Sequence, residues 1–543
     1  MYHRGLCHQL WLDELPWLGI QIMKNTFRQS MNWLHTWSGF LCAWLLYFIF
    51  LTGTLGYFEN EIDRWLKPEM VPVTDKIDYQ QVLLTAEQHL EQLATDSPSW
   101  YISFPAERSP FVKISWLQLA DTAKNIEKQW HEKSIDLSNN HISPVRDTAG
   151  GMTLYRLHYN LHYLPTTVAY IIVSIASMFM LIGLITGIII HKKIFIEFFT
   201  FRANKGLRSW LDIHNIFSVL PLPFHLMITY SGLVLLMTVS MAGVININYG
   251  EGKENNKKFY YAASAEHSQQ ITSQLSPSDL SPQQVLLDAQ QRYPKLNISY
   301  IGVLKRTTDD VHYEVWFDNH QGIELVSHLT YHQQDGQVVI DISGEKIGEA
   351  AQIYDVLEHL HEGLFADIYL RWLYFLSGLM GSAMIATGCI IWLNKRLKNA
   401  NPAKQFDRTY TLARLNIAVV VGLPIALAVF FYSNRLLPIE MLNRAQWEMH
   451  SLFITLGLGL IICLFHPNKH LWRNSLWLCA VSFPMLPLVN YLTTGHNLFS
   501  SFVQQDWQMF AFDLTMLITG AASAWAALAL GQQANTRPTG VSP

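Results

Sequence analysis

The residues of this chain best suited to chemistry are histidines in or beside long apolar runs. A neutral imidazole offers a nitrogen lone pair to a metal, and two imidazoles from separate helices can hold haem iron from above and below. An ionisable side chain at membrane depth is costly, so it marks a functional position by default. His35, His191 and His214 fall near one face of the apolar region; His158, His162, His359 and His361 fall near the other; His225 lies between. His214 and His225 are eleven positions apart, which on one straight helix places them on a shared face about 16 Å apart along the axis. One helix face would then serve two haems, one above the other. Pro221 and Pro223 predict a kink that opens space beside His225, although prolines are common in membrane helices.

Blander readings stand beside this one. A lone interfacial histidine is more often a hydrogen-bonded anchor than a ligand. His191 begins a His-Lys-Lys run and fits a basic edge equally well. His158 and His162 form an i, i+4 pair that, on a helix, also suits a simple metal ion. Arg156 and Arg371 can pair with haem propionates, because guanidinium matches carboxylate geometry, or can snorkel to the interface. His450, His466, His470 and His496 sit at span ends and read as interfacial. The haem reading gains from histidines that cluster at two depths and recur within the chain.

The elements that must position these side chains are membrane spans. Of 543 residues 50% are hydrophobic and only 15% charged, against about 25% charged in an ordinary soluble domain. The net charge of −4 gives no reason to expect nucleic-acid binding. Runs of about 20 apolar residues cross a bilayer. Eight are expected, at 33–57, 166–190, 211–240, 370–393, 413–433, 449–465, 474–494 and 509–530. Basic loops lie at 191–210 and 394–414, and Lys469 and Arg473 follow span six. Threading eight spans puts all three on one side. The positive-inside rule makes that side cytoplasmic, with both termini.

The fold class expected is therefore a polytopic α-helical membrane protein with two small extracytoplasmic α+β domains. Its parts are a cytoplasmic N-terminus (1–30), span one (31–57), an outer domain (58–157), span two (158–193), a basic cytoplasmic loop (194–208), span three (209–240), a second outer domain (241–358), span four (359–394), a cytoplasmic loop (395–412), an added four-helix membrane module (413–530) and a cytoplasmic tail (531–543). Each outer segment begins with a glutamine-rich amphipathic helix. Each continues into alternating stretches such as Tyr101-Ile102-Ser103-Phe104 and His312-Tyr313-Glu314-Val315-Trp316, the pattern of half-buried strands. Residues 1–22 do not form a signal peptide, and Met23-Lys24-Asn25 reads as the natural start.

The first half is duplicated, the unit being span, outer domain, span. Gln80-Gln81-Val82-Leu83-Leu84 returns as Gln283-Gln284-Val285-Leu286-Leu287. His35 precedes Gly53, and His214 precedes Gly232, by the same eighteen positions. Leu157-His158 returns as Leu360-His361, and Thr186-Gly187 as Thr387-Gly388. Each copy holds two spans, so the copies keep one orientation and are related by an axis along the membrane normal. Cys7, Cys42, Cys389, Cys463 and Cys479 show no CxxC or CxxCH spacing, which argues against a c-type haem or a cysteine-held cluster. No dinucleotide-binding turn, P-loop or HExxH is present, so a cytoplasmic electron donor would have to be another molecule.

Trp33-Leu34-His35-Thr36-Trp37-Ser38-Gly39 with Thr52-Gly53, Leu157-His158-Tyr159-Asn160-Leu161-His162, Thr186-Gly187 through His191-Lys192-Lys193, Trp210-Leu211-Asp212-Ile213-His214-Asn215, Leu222-Pro223-Phe224-His225-Leu226 and Leu360-His361-Glu362-Gly363 resemble the PepSY-associated transmembrane family. The resemblance covers roughly 30–400. It implies PepSY-like outer domains and haem b (one or two). His35, His158, His162, His191, His214, His225 and His361 match the motif positions and are the implied ligands; His359 sits beside the motif. It further implies an inner-membrane reductase of the siderophore-reductase, iron-uptake branch. Such a protein takes electrons from a cytoplasmic or quinol donor and passes them to a periplasmic ferric siderophore or other ferric chelate. The alternatives are a PepSY-domain anchor regulating periplasmic peptidases and a haem-free transporter.

Overall fold

The computed structural model describes Thr26 to Asn535 apart from 74–76, 121–127, 192, 198, 204, 253, 256–257, 260–279, 309, 319–327, 334–337, 342–348, 399–406 and 466–469. The reading of Met23 as the natural start, the placement of His466 and most of the C-terminal tail lie outside the described residues.

Span one is a bent pair, α1 (Phe27–Leu41) and α2 (Ala43–Gly56), turned by 65° at Cys42. The short α3 (Glu59–Leu66) leads to α4 (Tyr79–Leu93), whose N-terminus is capped by Asp78 accepting from the Gln80 and Gln81 amides. Strands β1 (Ser99–Ser103), β2 (Val112–Gln118), β3 (Gln129–Asp136) and β4 (His141–Ile142) follow. Then come α5 (Gly150–Asn160) and α6 (Thr166–Ile190). The second copy repeats this plan. A bent pair, α7 (Leu207–Val219) and α8 (Leu222–Leu235), turns by 63°. It is followed by α9 (Pro282–Arg292), β5 (Asn297–Leu304), β6 (His312–Asp318), β7 (His328–His332), β8 (Val338–Asp341), α10 (Glu349–Glu362) and α11 (Ile368–Leu397). The remainder includes α12 (Arg408–Val420), α13 (Gly422–Leu436), α14 (Arg444–Phe465), α15 (Leu471–Thr494) and α16 (Trp507–Asn535). Among the described residues, six stretches are long and apolar enough to cross a membrane, and eight if each bent pair is one span. The chain is a polytopic helical membrane protein.

The bends correct one expectation. Pro221 lies at the α7–α8 break and Pro223 in the first turn of α8, where a missing amide donor is tolerated. That agrees with a kink at the prolines. A 63° turn also means that His214 and His225 do not share one straight helix face. The equivalent break at Cys42 has no proline beside it, so the bend belongs to the repeated architecture.

The two polar segments do not form separate bodies. Their described strands make one eight-stranded antiparallel sheet, ordered β4-β3-β2-β1-β5-β6-β7-β8. The copies meet at β1 and β5, with Ile102 opposite Ile301 and both fully buried. One shared sheet places both segments on the same side of the helices. Burial alternates along β1 and β6 as the sequence pattern predicts, and α4 and α9 cover one face through Leu83, Leu90, Val285 and Leu286. Pairing the edges hides two rows of backbone donors and acceptors that would otherwise template aggregation.

At the contact of α4 with α9, Glu87 accepts a hydrogen bond from Gln283. Burial pushes the Glu87 carboxyl up to about 7. A carboxyl raised on folding favours the fold at low pH and weakens it as pH rises from the usual carboxylate range through about 7. Glu87→Gln is therefore expected to close the gap in melting temperature between pH 5 and pH 8. Equal pH dependence in wild type and variant would contradict this.

Beneath the sheet the two copies pack by one plan. Helix α1 packs on α6 as α7 packs on α11, and α2 packs on α5 as α8 packs on α10. The later helices join the first copy through buried polar contacts. Trp65 stacks on Phe512 at 4.5 Å and donates to Asp513 at 2.9 Å. Arg64 pairs with Asp506 at 2.7 Å.

Candidate functional site: two facing histidine pairs

The helix packing brings corresponding histidines of the two copies together. The ring centroids of His35 on α1 and His214 on α7 are 6.4 Å apart, with the planes at 72°. Those of His158 on α5 and His361 on α10 are also 6.4 Å apart, with the planes at 21°. The first pair lies toward the basic loops and the second toward the sheet. Each pair thus straddles the axis relating the copies.

A repeated cradle orients the rings. His35 Nδ1 lies 2.9 Å from the Gly183 carbonyl and 3.3 Å from Thr186 Oγ1. His214 Nδ1 lies 2.9 Å from the Met384 carbonyl and 3.2 Å from Thr387 Oγ1. His361 Nδ1 lies 2.8 Å from Ser231 Oγ and also meets the Ile228 carbonyl. In all three a carbonyl and a hydroxyl three residues later share one nitrogen. A carbonyl can only accept, so Nδ1 carries the proton and Nε2 keeps its lone pair. His158 differs, since its Nδ1 donates to the Tyr155 carbonyl on its own helix.

The next residue in each cradle is glycine, for a steric reason. A Cβ at Gly187 would stand 3.3 Å from His35 Cε1, and one at Gly388 3.4 Å from His214 Cε1. A Cβ at Gly53 would stand 3.3 Å from His158 Cγ, and one at Gly232 3.0 Å from His361 Cε1. The Thr-Gly and Ser-Gly dipeptides therefore act as platforms for imidazoles.

His35 and His214 open on a cavity of about 1070 Å³. Its walls include Gly183, Gly187 and Gly388, and its mouth carries Arg28, Arg208, Lys395 and Arg396. His191 lines it too, with Nε2 accepting from Asn215 at 3.2 Å. Arg202 at the rim is paired with Asp212 at 2.6 Å.

The other sequence candidates stand apart from the pairs. His225 is fully buried with Nε2 3.2 Å from the Ser377 carbonyl, edge-on to Phe50 and close against Gly381. Helix α5 ends at Asn160, and Leu161 and His162 adopt positive φ values of 48° and 41°. His158 and His162 thus do not share a helix face. His162 instead stacks on Phe453 of α14 at 5.7 Å. Arg371 is already engaged, 3.1 Å from Glu61 and 3.0 Å from the Ala366 carbonyl. Arg156 is exposed and bonds Tyr159. His359 is buried with Nδ1 on the Asp355 carbonyl.

The model of the PepSY-associated TM region matches residues 32–395. The chain belongs to this family. The match takes in both histidine pairs and both halves of the sheet, and it stops before α12. No curated protein matches the chain.

The helices beyond the family region also serve the site. Glu448 of α14 accepts from Thr148 Oγ1 at 2.6 Å and from the Ala149 amide at 2.9 Å. This holds the N-terminus of α5, the helix that carries His158, where free amide groups favour a carboxylate. Asp63 adds a contact of 3.4 Å to the Gly151 amide. Sequence reasoning missed the glycines as ring platforms, although their spacing from the histidines was visible, and missed Glu448, for which no local signal exists.

Proposed function

We propose that this protein is a haem-containing inner-membrane reductase that passes electrons across the bilayer to a periplasmic ferric siderophore in iron uptake. The observation that supports this most is the pair of facing imidazole sets, His35 with His214 and His158 with His361, at two levels of the helices. The ring centres of each pair lie 6.4 Å apart, close enough for both rings of a pair to hold one metal group. The buried Nδ1 contacts to carbonyls are the orienting bonds that ligating histidines commonly make. Haem b held by these residues would supply reversible one-electron iron chemistry.

The protein's own residues then have defined tasks. The Thr186, Thr387 and Ser231 cradles fix ring orientation, and the glycines admit a flat group against the helices. Arg208 and Lys395 at the cavity mouth offer charge to propionates. By the positive-inside rule the basic cavity faces the cytoplasm, where a cytoplasmic or quinol donor approaches, and the sheet faces the periplasm.

An absorption spectrum of the purified protein, expressed with haem supplementation, tests the reading. The expected result is a Soret band that shifts on dithionite addition with a sharp α band. A ferrozine assay with a ferric siderophore then tests the substrate class. Lack of haem would overturn the reading in favour of a binding or transport protein. A finer prediction concerns the cradle. Gly388→Val should drive the His214 ring from its seat and lower haem affinity by at least about tenfold, read by haem titration of the stripped protein. Unaltered affinity would remove the platform role.

A further inference from the structure

The sheet carries a second cluster of metal-ligating side chains, far from the histidine pairs. Its end near the helices is marked by Arg108 in the β1–β2 connection, which donates to Glu61 and to the Tyr57 carbonyl, both at 3.0 Å. Strand β5 runs antiparallel to β1, so the β5–β6 turn lies at the opposite end. There His312 opens β6 and His332 closes β7 as direct cross-strand partners. Their rings are 4.4 Å apart and nearly perpendicular. Both Nε2 atoms point at one oxygen of Asp310, at 3.0 Å and 2.6 Å. One ligand atom from each of the three lies within 4.8 Å of the others. Lys305 Nζ bonds the second Asp310 oxygen and sits 3.3 Å from His312 Nε2.

We propose that Asp310, His312 and His332 bind a divalent transition-metal ion of the zinc class at the tip of the sheet. Two imidazoles and one carboxylate form a donor set for zinc or ferrous ions. Calcium and magnesium prefer sites built wholly of oxygen. The β6–β7 register fixes both rings before any ion arrives, which lowers the ordering cost of binding. Three protein ligands leave a position for water or an exogenous ligand. The Lys305 ammonium presently neutralises the Asp310 carboxylate, and a bound ion takes over that task while the lysine swings to solvent. The lysine is thus a competitor for the carboxylate.

Zn²⁺ titration of the full-length, EDTA-treated protein by calorimetry tests the proposal, with Co²⁺ absorption as a second probe. Wild type is expected to bind Zn²⁺ at a site that the double variant His312→Ala/His332→Ala loses or weakens by at least about tenfold. Lys305→Met is expected to tighten binding several-fold. Zn²⁺ binding unchanged in the double variant would overturn the proposal. So would binding unchanged or weakened in Lys305→Met, a substitution at an exposed side chain that leaves the sheet core intact.

Discussion

His214→Ala is expected to remove the spectral signature of one haem and leave the other. His214 lies across from His35, with the ring centroids 6.4 Å apart. Its loss leaves His35 without a counterpart. Two sites on separate levels predict that about half the haem is lost, since each pair would hold its own haem. His158→Ala should remove the other half, again because His361 alone remains. Reduction of a ferric chelate should fall to background in both variants, as a relay fails when either step is missing. His225→Ala should keep both signatures, because the His225 ring packs among Phe50, Ser377 and Gly381 and touches neither pair. Pyridine haemochrome quantification alongside the reduced spectrum decides the matter. Full haem content in His214→Ala and in His158→Ala would refute the pairing.

Glu448→Ala is expected to be among the most destabilising single changes in the chain. Arg444 and Glu448 are both fully buried and 2.5 Å apart. Arg444 also donates to the Asp147 carbonyl at 2.6 Å and to the Asn434 carbonyl. Glu448 in turn accepts from Asn434 Nδ2 at 2.8 Å and from the start of α5. Removing one partner of a buried pair leaves an uncompensated charge and costs about 3–5 kcal/mol. Replacing both together with apolar side chains of similar size is often close to neutral. Arg444→Met/Glu448→Leu should therefore melt nearer to wild type than Glu448→Ala does in detergent. A double variant as damaged as the single one would show that the capping of α5, not the charge, dominates.

Much of this architecture was legible in the sequence because its signals are local or periodic. Apolar runs marked the spans, alternation marked β1 and β6, and recurring phrases marked the duplication. The pairing of His35 with His214 and of His158 with His361 was implicit in that duplication, since equivalent positions meet on the axis relating the copies. It was obscured by a plausible straight helix through His214 and His225, which the 63° bend removes. His158 and His162 would share a face only if their segment were helical, and a left-handed turn after Asn160 separates them. Arg371 read equally as a propionate partner or a snorkelling anchor, and its contact with Glu61, 310 positions earlier, has no local signal. The union of the two outer segments at β1 and β5 left no mark in the pattern, because an edge strand and a central strand alternate alike.

The seam between β1 and β5 has a consequence for the history of the gene. A chain ending after the first copy would present β1 as a naked edge, and would own one imidazole of each facing pair. Two such half-length chains, docked edge to edge about a two-fold axis, would satisfy the strand and complete both pairs at once. The present polypeptide is what fusion of that homodimer would leave behind. Separately expressed halves should therefore seek each other out, or else aggregate through the bare strand.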